Sequence, residues 1–463
     1  MGYTALHLHL HGLFRGQNPE LGRDADTGGQ TTYVLELAKA LAARPEMDRV
    51  EVVTRLLDDR RVHPHYSVPT EPVAPGLTIR RFRFGPRRYL PKASLWPHLD
   101  ALANRLSDQL QHQQRLPDWI HAHYADAGYV GALLQRRLGI PLVFTAHSLG
   151  REKRRRLLAV GMDRRQLEER YSMARRIDAE ELALAHSDLV ITSTQQEREV
   201  QYARYTCFRP ESTWVIPPGV DSSRFFPPRP LATPTAPIET PIETLLAPFL
   251  RDPTRPPVLA ICRADPRKNI PALVEAFARS RQLRQDHNLV LVLGCRDDCR
   301  ELEPSQREVF QQLFELVDRF DLYGQVAYPK RHQPAHVPAL YRWAAALGGV
   351  FVNPALTEPF GLTLLEAAAS GLPVIATDDG GPRDILERCR HGQLVDVTDQ
   401  AALQAAIETA FMDRRRWQAW QHAGLNAVGR FYSWEAHAGQ YLRAVRHQLG
   451  ASQGTGSLLT TPA

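Results

Sequence analysis

Short apolar runs, bounded by Gly, Pro or polar clusters and separated by stretches of helical period, recur along the whole chain, and this alternation constrains the fold most. A first series covers residues 5–10, 50–54, 119–123, 142–147, 188–193 and 214–217. A second covers 258–263, 289–294, 326–329, 350–354, 373–377 and 393–397. Strands that alternate with helices pair in parallel through crossover connections. The 463 residues also exceed what one ordinary hydrophobic core accommodates. The expectation is an α/β fold of two Rossmann-like domains with parallel sheets, facing one another across a cleft where ligands gather at strand carboxyl ends.

Residues 227–257 separate the two series, are rich in proline and repeat Pro-Ile-Glu-Thr at 237–240 and 241–244. Proline fixes φ and removes a backbone donor, so this stretch reads as an extended connector and a candidate hinge. The expected division is an N-terminal domain over 1–228, a linker over 229–256 and a C-terminal domain over 257–430, then a helix over 431–450 packing back on the N-terminal domain and a disordered tail over 451–463.

A net charge of +6 without a basic tail or basic-aromatic interleaving suits small anionic substrates better than nucleic acid. The longest apolar stretch, around 343–352, falls short of the ~20 residues that cross a bilayer, so no membrane partner is expected. Residues 1–6 lack a basic segment before an apolar run and carry Leu6 where a myristoylation motif needs Ser or Thr. Cys207, Cys262, Cys295, Cys299 and Cys389 are scattered and odd in number, which reads as reduced thiols and a cytoplasmic location.

Three motifs carry chemistry. Asp26-Thr27-Gly28-Gly29-Gln30 lies between the first strand and a helix, where glycines admit close backbone approach and the helix N-terminus favours an anion. The stretch Thr357-Glu358-Pro359-Phe360-Gly361-Leu362-Thr363-Leu364-Leu365-Glu366 follows a strand and opens a helix. Amides of Gly361, Leu362 and Thr363 can receive a phosphate there, and Glu358 and Glu366 can accept sugar hydroxyls. Arg263-Ala264-Asp265-Pro266-Arg267-Lys268 puts two cations at a strand end, suited to a diphosphate whose charge grows as its sugar bond breaks. His7, His9 and His11 alternate with leucines, and His121 and His123 share that period, so they read as strand alternation and no metal ligand set is assigned. The run Arg151-Glu152-Lys153-Arg154-Arg155-Arg156 reads as a solvated or lid segment without a catalytic role.

These motifs resemble those of the retaining glycosyltransferases of the GT-B fold, glycosyltransferase family 4. More narrowly, 11–16, 20–30, Thr145-Ala146-His147-Ser148-Leu149-Gly150, Tyr328-Pro329-Lys330 and Asn353-Pro354-Ala355-Leu356 resemble the sucrose-phosphate synthases. The resemblance runs from about residue 5 to about 450. It implies retaining transfer of glucose from UDP-glucose to the C2 hydroxyl of fructose 6-phosphate, with no cofactor and no obligatory metal. A separate sucrose-phosphate phosphatase would act on the product, because only a tail follows Gly450.

By the same resemblance, Gly29, Arg263, Lys268, Tyr328, Lys330, Gly361, Leu362, Thr363 and Glu366 would hold the donor. Gln30, Lys92, Tyr124, His147, Arg175 and Arg176 would hold the acceptor, the closer of the two arginines being left open. His147, Lys268, Arg263 and Glu358 would form the catalytic group, with Glu358 on the glucose hydroxyls. ADP-glucose stands as a second donor candidate. A sucrose-synthase-like transfer to free fructose is the alternative, although that family carries a long N-terminal extension and Gly28-Gly29 comes early here. A non-catalytic sugar-phosphate sensor would have lost donor residues that are all present.

Overall fold

A computed structural model describes residues 2–20, 23–24, 26–113, 115–159, 161–228 and 240–455. Leu21, Gly22 and Ala25 of the early motif, most of the first Pro-Ile-Glu-Thr copy and residues 456–463 of the expected tail lie outside them. The chain divides into two compact units, one formed by Met1–Pro218 with Trp434–Ala463, the other by Gly219–Ser433.

Unit 1 contains strands β1 (Tyr3–Leu8), β2 (Met47–Arg55), β3 (Thr70–Ala74), β4 (Leu77–Phe82), β5 (Trp119–His123), β6 (Leu142–Thr145), β7 (Leu189–Thr192) and β8 (Thr213–Val215). They form one sheet in the order β3-β4-β2-β1-β5-β6-β7-β8, parallel except for the β3–β4 pair. The antiparallel edge escaped the sequence pattern because Pro72 sits within β3 and Arg80 and Arg81 occupy β4. Proline is tolerated there because an edge strand leaves one row of donors unpaired. Elsewhere the apolar runs foresaw strand positions to within a few residues.

Unit 2 contains β9 (Pro257–Ile261), β10 (Asn288–Val292), β11 (Val326–Ala327), β12 (Val350–Asn353), β13 (Val374–Thr377) and β14 (Gly392–Val395). Their order is β11-β10-β9-β12-β13-β14, all parallel. Burial on both faces requires near-continuous apolar strands, and β10 is buried at every residue.

Two expected boundaries move. The first unit ends at Pro218 rather than 228, because Val220 N–H donates to the Tyr432 carbonyl at 2.7 Å and Phe225 packs on the Tyr341 ring. The expected linker contains a helix, Thr240–Leu246, with Pro241 in its first turn, where a missing N–H costs no hydrogen bond. Ile242 and Leu246 of that helix are fully buried in the core of unit 2. The last helix, Trp434–Thr455, runs past 450. Its Trp434, Ala438, Tyr441, Leu442 and Val445 share a core with the helix Gly29–Ala42 of unit 1.

Candidate active site

In each sheet the chain reverses direction of strand addition at one place, between β1 and β5 in unit 1 and between β9 and β12 in unit 2. Loops leaving adjacent strands on opposite sides of such a switch point part and leave a crevice. The segments after β1 and β5 carry Gly28-Gly29-Gln30 and Tyr124, and those after β9 and β12 carry Arg263, Lys268 and Glu358.

In unit 2 a cavity of about 330 Å³ is lined by Arg263 and Lys268 after β9, Asn353, Pro354 and Glu358 after β12, and Gly361, Leu362 and Thr363 at the start of the helix Leu362–Ala369. Lys268 Nζ lies 2.6 Å from Glu358 Oε2, which also accepts from Asn353 Nδ2 at 3.3 Å. The loop is pinned: Leu356 N–H donates to the Arg267 carbonyl at 2.9 Å, and Glu358 N–H to the Asp379 carbonyl at 3.1 Å. Gly361 caps the helix with φ +99°, a backbone conformation that L side chains resist, and a Cβ there would approach Ile385 and Leu364 at 3.3 Å. The Leu362 and Thr363 amides that follow have no carbonyl a turn earlier in the helix to bond, as at any helix start, and so can face an anion.

Glu366 stands one turn into that helix and accepts from the Tyr341 hydroxyl at 3.3 Å. Burial pushes its carboxyl up to about 7, with the Tyr341 hydrogen bond and Arg224 opposing. Tyr328 and Lys330 sit apart from the cavity lining, on the loop after β11. Arg296 donates to the Tyr328 carbonyl at 3.0 Å, and Lys330 Nζ to the Asp297 carbonyl at 3.4 Å. These two belong to a different loop pair from the other donor candidates of unit 2.

In unit 1, Gly29 opens the helix Gly29–Ala42, and open space lies where Cβ atoms on Gly28 and Gly29 would sit. Gln30 Nε2 reaches His9 Nδ1 at 3.1 Å and the His123 carbonyl at 3.3 Å. Tyr124 and His147 both have positive φ, +81° and +56°, in non-glycine residues directly after β5 and β6. Such conformations cost free energy and cluster at functional sites. The Tyr124 N–H is held by the Thr145 carbonyl at 2.8 Å.

Around the Tyr124 ring the chain gathers cations. Lys92 Nζ is 5.3 Å from its centroid and the Arg176 guanidinium 4.7 Å. Lys153, on the helix Gly150–Ala159, has its ammonium lowered to about 8 by burial first and then by the charges of Arg176 and Lys92. The sequence pattern of 151–156 reads as a solvated or lid segment, whereas Lys153 is half-buried with its Nζ 3.8 Å from the Tyr171 ring centroid. Its only visible signal was its place in a basic helix three residues after Gly150. Asp26 pairs with Lys92 at 2.9 Å, and although burial opposes it, Lys92 holds that carboxyl below its ordinary range.

Of the two adjacent arginines, Arg176 is 3% exposed and joins this group, while Arg175 is exposed and points its guanidinium toward Trp96 at 6.0 Å. A helix turns 100° per residue, so neighbours in sequence face different sides. The structure therefore separates Arg175 from the other acceptor candidates.

Beneath them runs a chain of imidazoles: His147 Nε2 to His123 Nδ1 at 3.0 Å, and His123 Nε2 to His7 Nδ1 at 3.0 Å. Burial lowers the imidazoles of His7 and His147 to about 3, so both are neutral. His7, His121 and His123 bring nitrogens within 4.8 Å of one another, a grouping of metal-ligand type that the alternation reading passed over. No carboxylate or thiol belongs to that grouping, so nothing in it would balance a divalent charge.

A model of Glycosyltransferase Family 4 matches residues 27–224, and one of Glycosyl transferases group 1 matches 242–426. The chain is 41% identical to a probable sucrose-phosphate synthase 5 of Oryza sativa subsp. japonica, over 95% of this chain and 51% of that protein. It is also 41% identical to a sucrose-phosphate synthase of Zea mays, over 95% of this chain and 46% of that one. The chain thus spans about half the length of the curated relatives it matches. A solved sucrose-phosphate synthase from Thermosynechococcus elongatus superposes with a TM-score of 0.71 at 26% identity, covering 97% of this chain and all of that one.

Proposed function

The chain belongs to the GT-B glycosyltransferases that pair a family 4 with a group 1 domain and include the sucrose-phosphate synthases, and from that premise we propose a sucrose-phosphate synthase activity. Glucose passes from UDP-glucose to the C2 hydroxyl of fructose 6-phosphate with retention, giving sucrose 6-phosphate and UDP. The observation that carries this reading is the grouping of Lys92 and Arg176 about the Tyr124 ring, with the charge of Lys153, over the Tyr171 ring, close enough to feel both. A guanidinium fork and ammonium groups suit a phosphate dianion, whereas a free sugar needs only hydroxyl partners.

The donor residues of unit 2 supply the leaving-group chemistry. Arg263 and Lys268 neutralise charge on the departing diphosphate and take the place of a divalent cation, while the Leu362 and Thr363 amides add fixed dipoles. Glu366 holds the ribose, and Glu358, held by Lys268, meets the glucose hydroxyls. Gln30, Tyr124 and His147 orient the acceptor. The leaving phosphate accepts the C2 hydroxyl proton as UDP departs from the face that the acceptor attacks. The protein's contribution is orientation and charge stabilisation.

Because the product keeps its phosphate ester, a phosphatase activity would have to act on it to complete sucrose formation. The scattered, odd-numbered cysteines, read as reduced thiols, suit a cytoplasmic location. Nucleotide release is the test, measured from UDP-glucose with fructose 6-phosphate, then with fructose, then from ADP-glucose. Fastest release in the first mixture is expected. Faster release with free fructose would overturn the acceptor assignment, and faster release from ADP-glucose the donor assignment.

A further inference from the structure

Glu180 is fully buried on the helix Met173–His186 and belongs to no motif singled out above. Its Oε1 accepts from Arg176 Nε at 2.9 Å, one helical turn earlier. Both carboxylate oxygens also accept from the Gly150 N–H, at 3.1 and 2.9 Å, at the start of the helix that carries Lys153. The Tyr205 hydroxyl donates to Oε2 and in turn accepts from Arg151 N–H at 2.9 Å. A Cβ on residue 150 would come within 2.8 Å of Glu180 Oε2, so glycine is what lets the carboxylate close on the helix end.

On its other edge Arg176 donates through Nη2 to the Ser148 carbonyl at 2.6 Å and to Ser148 Oγ at 3.0 Å. Nε and Nη2 are thus occupied, and Nη1 has no hydrogen bond among the described residues. One buried carboxylate therefore fastens the guanidinium by one edge and the Lys153 helix by its first amide. We infer that Glu180 is a positioning residue for the acceptor phosphate, setting the spacing of Arg176 and Lys153 without touching substrate itself. This rests on the acceptor assignment proposed above.

The physical reason is preorganisation. A guanidinium held in place loses little freedom when it binds phosphate, and an acid opposite a helix N-terminus fixes that helix's first turn. Loss of the carboxylate charge frees both cations while leaving their charges present.

The experiment is steady-state kinetics on the full chain with Glu180→Gln, Tyr205→Phe and Arg176→Ala, varying fructose 6-phosphate and UDP-glucose separately. Inorganic phosphate serves as a competitive probe against fructose 6-phosphate. Glu180→Gln is expected to raise KM for fructose 6-phosphate roughly 10- to 100-fold and to weaken phosphate inhibition by a similar factor, with KM for UDP-glucose changing less than about twofold. An unchanged KM for fructose 6-phosphate, or an equal rise for both substrates, overturns the inference. If Glu180→Gln does not fold by circular dichroism, Tyr205→Phe decides: a rise of about 3- to 10-fold confined to fructose 6-phosphate is expected, and no rise overturns it. Arg176→Ala separates the two levels. If it raises KM while Glu180→Gln does not, only the positioning role fails; if it leaves KM unchanged, the acceptor assignment fails with it.

Discussion

In unit 1 the Arg176 guanidinium is buried with Nε and Nη2 already hydrogen-bonded, whereas in unit 2 Arg263 stands exposed and Lys268 has one carboxylate, Glu358, as its side-chain partner. Both sets of cations were candidates for binding phosphate. Their surroundings suit different tasks. An acceptor phosphate carries the same charge before and during transfer, so a rigid cradle serves it throughout. A departing diphosphate gains charge during the reaction, and cations that interact more strongly at that stage lower the barrier.

The sharpest way to break this comparison is Lys268→Ala. Loss of one preorganised charge-stabilising group is expected to lower turnover roughly 10²- to 10³-fold at saturating substrates. A change in KM alone, seen in initial-rate measurements, would mean that Lys268 binds both states equally. Arg176→Ala is next: truncating a buried, paired charge costs about 2–5 kcal/mol, so KM for fructose 6-phosphate is expected to rise roughly 30-fold or more with a smaller change in turnover. A turnover loss as large as that of Lys268→Ala would erase the distinction between the units.

Lys153 sharpens the comparison through pH. Its ammonium is lowered to about 8 by burial and the neighbouring cations, so it is charged below that value and loses its charge above it. KM for fructose 6-phosphate is expected to rise above about pH 8, approaching about tenfold per pH unit, and Lys153→Arg should remove the dependence. A pH profile identical in the two proteins would exclude Lys153.

The smallest effect concerns Glu366, whose carboxyl burial pushes up to about 7. Between the ordinary carboxylate value and about 7 the folded chain keeps a proton that the unfolded chain has lost, so stability falls as pH rises through this window. Glu366→Gln is expected to raise the melting temperature at about pH 8, by roughly 2–4 °C for each ~1 kcal/mol, and to change it little at about pH 5. UDP binding should weaken in the same variant. An unchanged melting temperature at both pH values would place that carboxylate outside the destabilising environment.

Much of this site was legible because its motifs are local. Gly361, Leu362 and Thr363 follow Glu358 within one loop, and their short spacing brings them to the same cavity as Arg263 and Lys268. Tyr328 and Lys330 show the limit: a motif match said nothing of which neighbouring loop they would join, and Arg296 and Asp297 hold them. The helix Thr240–Leu246 was hidden for a related reason, since proline at a first turn is compatible with a helix that packing then stabilises.

By itself the amino-acid sequence determined the α/β class, nearly every parallel strand and the two strand-end motifs, because apolar period and glycine or proline placement act over a few residues. Only the tertiary structure buried Arg176 and left Arg175 exposed, set Lys153 over the Tyr171 ring, and closed Glu180 on Gly150 and Arg176. Those choices depend on which side of a helix meets its neighbour and on which charges share a buried carboxylate, and residues far apart in the chain settle both.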